Sequence, residues 1–411
     1  MHKEFLTLSN IKDVLGLSSL FKPGETEKAS LENCLGRVTA SDIFSNENIP
    51  PFDKSTVDGF AVTSSSTFGS SEGNPSSLAY IKDSVRTGSV PEFSIKHGEA
   101  AKIQTGGMIP KGSDAVVMLE HAEIIGSDML EVFRPAAPGS NIIYKGDDIK
   151  AGDLAIPGGT RLRAQEAGIL AAIGHTEIEV VKKPVVGIIS TGDEVVPASC
   201  MPESGKIRDV NTHTLWNMTI RNGGIPVFVG LVRDDYDEIL KACENGLTQC
   251  DMLLISGGSS IGARDYTLDI IKKLTMDNIL VQGVSMSPGK PVILGKAGNR
   301  QIWGLPGHVA SAMIVFHTLV RPFLNRLEGL ANDESVKIPA ILTKNVASAN
   351  GRTDFIRVRL KYEKDRVLAE PVIGKSGILL TIVKSDGIIE IDRNCEGLKQ
   401  GSQVFVTLLG H

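Results

Sequence analysis

Aromatic side chains are scarce in this 411-residue chain, at 5% of positions. It has no stretch of about 18 consecutive apolar residues, the length a membrane-spanning helix requires. The opening residues, MHKEFLTLSNIKDVLGLSSLF, are interrupted by polar side chains and lack both the apolar run and the small-residue cleavage site of a secretory signal. Cysteine is sparse too. Cys34, Cys200, Cys243, Cys250 and Cys395 are odd in number, scattered and free of any CxxC pair. That excludes a disulfide framework or a zinc site and makes the cytoplasm the expected compartment. An excess of one charge is also missing: 43 Lys plus Arg against 48 Asp plus Glu leave a net charge of −5. No whole-chain basic field exists to hold nucleic acid or an anionic membrane, so an anionic ligand has to be gripped locally. The eight histidines show no HExxH spacing, and no GxSxG or Ser-His-Asp pattern is legible, which weakens metalloprotease and hydrolase readings.

What the chain does have is glycine, 43 residues of it, much of it gathered in loops. Such glycines mark tight turns or close approach of backbone to a ligand. An apolar content of 41% with 22% charged residues is globular, and the length predicts two to four compact units at roughly 150 residues each. From residue 5 to 42, Leu8, Ile11, Val14, Leu15 and then Leu31, Leu35, Val38 recur at helical spacing, predicting two helices divided by Pro23-Gly24. After Pro50-Pro51, short β-prone runs alternate with turns up to about Arg134. RLRAQEAGILAAIG predicts a further helix that packs back on the N-terminal part and makes the first domain discontinuous. From Pro184 onward, PVVGIIS, PVFVGLV, DMLLISGG, PVILGK and QIWGLPG alternate with helical segments, the signature of parallel strands with covering helices. Beyond about Glu328 the pattern is β again.

Ligands of open parallel sheets bind at the carboxyl ends of the strands, and the glycine-rich segments of this unit fall there. Ser256-Gly257-Gly258-Ser259-Ser260 follows one strand and precedes a helix, a pattern that makes either a phosphate cradle or an ordinary turn. STGDEVV, with Thr191 and Gly192, follows another strand, and GLPGHVAS, with Gly304, Pro306, Gly307 and Ser311, follows a third. Three such ends favour an extended ligand. Asp193, Glu194 and Asp265 place carboxylates beside this anion site; they would repel phosphate unless they bind a cation or N–H donors of a heterocycle. Taken singly, an acid such as Asp265 reads as helix N-terminal stabilisation; the cluster reads less easily that way. Lys290 stands in a stiff Pro-Gly-Lys-Pro turn, whereas Lys296 reads as a solvated strand-end lysine. In the first β unit, Asp53, Ser55, Asp58, Thr105 and Asp114 carry the polar chemistry, and Asp58-Gly59 alone reads as a turn. KGDDIKAGD reads as a solvated loop before it reads as a metal site, and His308 serves either a ligand or a helix start.

Eight segments in order, PPFDKSTVDGFAV, IQTGGMIPKGSDAVVMLE, KGDDIKAGD, GIISTGDEVV, LLISGGSSIGARDYT, SPGKPV, GLPGHVASAM and NGRTDFIRVRL, resemble the landmarks of the molybdopterin molybdenumtransferases, the MoeA and gephyrin E-domain family. The resemblance spans essentially the whole chain. It implies a multidomain α/β plus β fold: an elongated first domain (1–44 and 143–182), an inserted β-rich domain (45–142), a molybdopterin-binding α/β domain (183–329) whose parallel-rich sheet has helices on both faces, and a C-terminal β-barrel (330–411). It also implies a homodimer whose cleft brings Asp58 and Thr105 across the interface. The implied reaction hydrolyses adenylylated molybdopterin with Mg²⁺, releases AMP and inserts molybdate. Molybdopterin adenylyltransferase and molybdoenzymes are the implied partners.

Carried over by resemblance, Asp58, Thr105, Asp148, Glu194, Asp234 and Asp265 are the catalytic set, with Asp58, Glu194 and Asp265 as metal ligands. Thr191, Gly192, residues 256–260, Gly304, Pro306 and Gly307 resemble the pterin-binding positions. Lys290, Ser311, Arg352 and Ser376 resemble residues around the oxyanion. Two positions depart from the family pattern: Ser287 replaces a lysine, removing one positive charge, and His308-Val309 replaces Asn-Pro. These departures motivate a rival reading, a pterin-binding carrier without turnover; a tungstate-inserting variant is a further alternative. A receptor-clustering scaffold fits less well, since no partner domain or long linker is present.

Overall fold

The computed structural model describes residues 8–257, 266–332 and 335–409. Its α/β unit holds a six-stranded sheet ordered Ile225–Val232, Val185–Thr191, Met252–Ser256, Arg300–Leu305, Ile293–Ala297, Ile279–Gln282. The first four strands are parallel. Central strands covered on both faces read as continuous apolar runs. Accordingly, all of Met252–Ser256 is buried. Alternate residues serve opposite faces. Val186, Ile188, Leu254 and Trp303 join Leu215, Phe316 and Phe323 in one core, whereas Ile189, Leu253, Ile255 and Ile302 join Ile239, Ile270 and Ile271 in the other. Trp303 is fully buried, and its indole N–H donates to Gln301 at 3.0 Å, so the burial leaves no orphaned donor.

The last two strands depart from the expected parallel order. Ile293–Ala297 and Arg300–Leu305 pair antiparallel, as do Ile279–Gln282 and Ile293–Ala297. Only Gly298-Asn299 separates Ile293–Ala297 from Arg300–Leu305, and Gly298 has φ +63°, a hairpin geometry open to glycine. A parallel return needs a crossover of about a dozen residues or more, which this loop lacks.

The N-terminal segment also differs from its helical pattern. Ile11–Gly16 is helical, capped by Asn10, which accepts the Asp13 N–H at 2.8 Å. Val14 and Phe21 are buried in the α/β core, where Phe21 meets Phe323 edge-on. The second predicted helix, on Leu31, Leu35 and Val38, is absent apart from the single 3₁₀ turn Leu31–Asn33. Gly36 has φ +73°, and its N–H donates to Leu162 O at 2.8 Å, while the Thr39 N–H donates to Thr160 O at 3.0 Å. Long-range backbone partners thus take the donors a helix would have used, and Leu35 is left 70% exposed.

Thr26–Ser30 pairs with Glu177–Val181, and Ile43–Phe44 with Leu154–Ile156, so two distant stretches of chain build one unit around Leu162 and Leu170. The helix expected after Arg161 is Ala164–Ala172. Between the two stretches a six-stranded sheet is inserted, ordered Ala115–Met118, Gly59–Val62, Glu99–Ile103, Ser76–Val85, Met129–Val132, Ala122–Ile125. At the C-terminus, Thr353–Glu363, Arg366–Pro371, Lys337–Leu342, Gln403–Leu408 and Gly387–Ile391 close into a five-stranded barrel. Met286–Ser287 of the α/β unit adds in parallel to Thr353 and Asp354, tying barrel to sheet. No helix among the described residues is long and apolar enough to cross a membrane.

Candidate active site

Three neighbouring parallel strands end at Thr191, Ser256 and Leu305. Their loops press against one another. Gly257 has φ +128°, and a Cβ there would lie 2.3 Å from the Thr191 carbonyl oxygen, so no other residue fits without displacing backbone. Gly192 has φ +147° and donates its N–H to Val232 O at 3.2 Å. Pro306 is buried and Gly307 exposed beside Gly257. Gly304 lies lower, inside its strand, where a Cβ would come within 3.0 Å of Thr267, so its small size serves helix packing beneath the edge. Gly258, Ser259, Ser260 and Asp265 lie outside the described residues.

Residues 209–212, which the sequence reading did not single out, tie this edge together. Asp209, 6% exposed, accepts the Ser190 hydroxyl at 3.2 Å and the Thr212 N–H at 3.0 Å through the same oxygen. Asn211 Nδ2 donates to Ser256 Oγ and to Gly307 O, each at 2.7 Å. The signal available was a polar cluster, RDVNT, heading the helix Asn211–Arg221, but its partners are remote in sequence.

Beside the cradle stand Asp193, Glu194 and Asp234. The Asp234 N–H reaches Asp193 Oδ1 at 3.4 Å. Partial burial, followed by the negative charges of Glu194 and Asp193, pushes the Asp234 carboxyl above its ordinary range. Clustered anionic charge of this kind is relieved by a cation. Among the described residues, however, no three His, Cys, Asp or Glu side chains converge as a complete metal-ligand set.

A separate polar cluster lies at the corner of Ser287. Ser287 pairs with Asp354 in register, and Arg352 holds that buried carboxylate at 2.9 Å while the Ser348 hydroxyl donates to it at 2.8 Å. Lys290 is exposed, on a turn wedged so tightly that a Cβ on Gly289 (φ +114°) would lie 2.5 Å from Val315. Ser376 O accepts the Ala310 N–H at 3.3 Å, which brings the barrel loop onto the start of the helix that buries Ser311. His308 caps that helix through its backbone position only and packs 3.7 Å from the place of a Cβ on Gly377.

Asp58, Thr105 and Asp148 are not joined to this edge by any hydrogen bond or ion pair among the described residues. Asp58 and Thr105 meet each other on the inserted β unit, where the Thr105 N–H (2.7 Å) and hydroxyl (3.0 Å) both donate to Asp58 Oδ1. These bonds hold the Asp58 carboxyl below its ordinary range. Asp58 immediately precedes the strand Gly59–Val62, at a bend of the chain. Asp148 is exposed, and its N–H donates to Ile49 O at 3.0 Å.

Family models described as "MoeA N-terminal region (domain I and II)", "Probable molybdopterin binding domain" and "MoeA C-terminal region (domain IV)" match residues 7–174, 187–326 and 339–409. The molybdopterin molybdenumtransferase of Bacillus subtilis (strain 168) is 32% identical over 392 residues, 94% of this chain and 91% of that protein. The chain belongs to the MoeA family. The molybdopterin molybdenumtransferase of Haemophilus influenzae is 30% identical over 409 residues, 99% of each chain. The crystal structure of the molybdopterin biosynthesis MoeA protein from Pyrococcus horikoshii OT3 superposes with a TM-score of 0.85 at 33% identity, covering 98% of this chain and all of that one. The multidomain MoeA plan expected from the sequence is present: an α/β unit, an inserted β unit and a closed C-terminal barrel. The strand-edge cradle falls within the match to the molybdopterin-binding domain of the family.

Proposed function

We propose that this MoeA-family protein is a molybdopterin molybdenumtransferase: it takes adenylylated molybdopterin, hydrolyses the phosphoanhydride, releases AMP and inserts molybdate into the dithiolene. The observation that carries this reading is the cradle of Thr191, Gly192, Ser256, Gly257 and Gly307 set directly beside Glu194 and Asp234, with Asp234 pushed up by its anionic neighbours. Glycines without Cβ atoms admit an extended ligand to the backbone, and the acids demand a cation between themselves and its phosphates.

Glu194 and Asp234 would hold Mg²⁺, which when bound supplies charge neutralisation of the diphosphate and polarisation of phosphorus. The cradle orients the P–O–P bridge so that water forms a new P–O bond as the bridging bond breaks and AMP departs. Lys290, Ser311, Arg352 and Ser376 receive the molybdate, where Lys and Arg offset its double negative charge. The dithiolene sulfurs then bind molybdenum as oxide leaves as water. We further propose that the protein is a cytoplasmic homodimer, in which Asp58 of the partner subunit and Thr105 of the partner subunit complete the cleft, with Asp148 on the same loop-rich face.

The test is incubation of the purified protein with adenylylated molybdopterin, Mg²⁺ and molybdate, reading AMP release and reconstitution of an apo-molybdoenzyme. AMP release with active cofactor supports the transferase. Tight pterin binding without AMP release would identify a carrier, and preference for tungstate in competition would change the metal.

A further inference from the structure

We propose that Asn211 is a positioning residue for substrate: its side-chain amide sets the Ser256 hydroxyl as a donor to an acceptor oxygen of the pterin substrate and holds the Gly307 loop against the same point. The identity of the ligand rests on the proposed function; the clamp itself rests on geometry. A carbonyl oxygen only accepts hydrogen bonds, so the Asn211 atom 2.7 Å from Gly307 O is the amide nitrogen. The same nitrogen lies 2.7 Å from Ser256 Oγ and donates to it. Both amide hydrogens are therefore used, one on each loop.

The consequence falls on Ser256. A hydroxyl has one hydrogen and two lone pairs, and an Oγ that accepts from Asn211 has its own hydrogen turned elsewhere. That hydrogen meets no acceptor among the described residues, although Ser256 is only 1% exposed. A buried donor in this state is satisfied when a ligand oxygen arrives. The device is stiffened from below, because Asp209, two residues earlier, holds Ser190 on the neighbouring strand and Thr212 on the following helix. One short turn thus sets the register of three strand ends, and Asn211 is the member that decides which atom of Ser256 faces the substrate.

Asn211→Asp keeps the shape but puts a carboxylate oxygen where the amide nitrogen stood. That oxygen repels the Gly307 carbonyl and turns the Ser256 hydrogen inward. The dissociation constant for adenylylated molybdopterin and the KM for AMP release are expected to rise about tenfold or more, with kcat at saturation and the molybdate requirement changed far less. Ser256→Ala is expected to show a similar rise, and Asn211→Ala combined with Ser256→Ala less than the sum of the two alone, since they share the Asn211–Ser256 contact. Hydrogen exchange of segments 253–257 and 304–308 is expected to quicken together in Asn211→Ala, with the rest of the chain protected as before. Inorganic pyrophosphate as competitor places the acceptor oxygen: weakening shared by pyrophosphate puts it on the diphosphate, weakening confined to the pterin ligand puts it on the ring. Wild-type protein that fails to bind adenylylated molybdopterin would overturn the proposed function. Wild type that binds while Asn211→Asp binds equally well, or additive effects in the double variant, would overturn the role of Asn211 alone.

Discussion

Thr105 donates both its backbone N–H and its hydroxyl to one oxygen of Asp58, at 2.7 and 3.0 Å. This exposed pair is preformed on the inserted β unit, with no hydrogen bond or ion pair to the sheet-edge acids among the described residues. If the cleft is shared between subunits, Asp58→Asn and Glu194→Gln protein, each inactive alone, regain activity when mixed and allowed to exchange subunits. Random exchange yields half heterodimers, each with one intact cleft, so about a quarter of wild-type AMP release is expected. Activity that stays at zero would mean a cleft built within one chain.

The same pair gives a titration test. Hydrogen bonds from Thr105 hold the Asp58 carboxyl low, the backbone bond first and the hydroxyl second. The folded value lies below the unfolded one, so the contribution of this pair is present above the ordinary aspartate value of 3.8 and fades as pH falls through the depressed value. Thr105→Val is expected to raise the Asp58 midpoint in carboxyl ¹³C NMR without returning it fully, because the backbone donor remains.

Asp234 is shifted the other way, upward, by burial and by its neighbours Glu194 and Asp193. Glu194→Gln removes one of those charges and is expected to lower the Asp234 midpoint. It also removes a proposed magnesium ligand, so half-saturation with Mg²⁺ in a calorimetric binding titration should need at least about tenfold more Mg²⁺. An unchanged Mg²⁺ requirement would take Glu194 out of the metal site.

Arg161 and Glu328 form an ion pair at 2.7 Å between the first unit and the end of the helix Arg321–Leu327, with the Glu328 side chain 4% exposed. Burial pushes the Glu328 carboxyl up, against the pull of Arg161. Arg161→Ala strands a buried carboxylate and is expected to cost about 3 kcal/mol at neutral pH in urea unfolding. A folded value above the unfolded one means stability falls as pH rises through it, and the variant raises that value further. The gap between variant and wild type should therefore shrink at acid pH, where Glu328 is neutral in both. A pH-independent gap would assign the loss to the Arg161 bond to Gly36 O instead.

Ser287 stands at the corner between Lys290 and the strand start held by Arg352. Ser287→Lys adds a positive charge there and is expected to lower the half-saturating molybdate concentration several-fold. An unaltered requirement would show that charge at this corner does not govern oxyanion capture.

Local pattern alone marked the buried strands, since PVVGIIS and DMLLIS are apolar on both faces, and it marked the glycine loops that follow them. It did not reveal that Leu31, Leu35 and Val38, spaced as a helix face, belong to a chain whose donors go to residues 160 and 162. Nor did it reveal Asn211, whose partners lie 45 and 96 residues away.

What this chain's sequence determined by itself is the family, the layered architecture and the edge at which ligand chemistry gathers, because residue spacing and glycine placement are local properties. Tertiary structure alone decided which oxygen of Asp58 is held, which atom of Ser256 is left to donate, and that Asp234 and Glu328 are pushed upward. Hydrogen bonding, burial and like-charge repulsion act between groups brought together only when distant segments pack, and no local spacing encodes those distances.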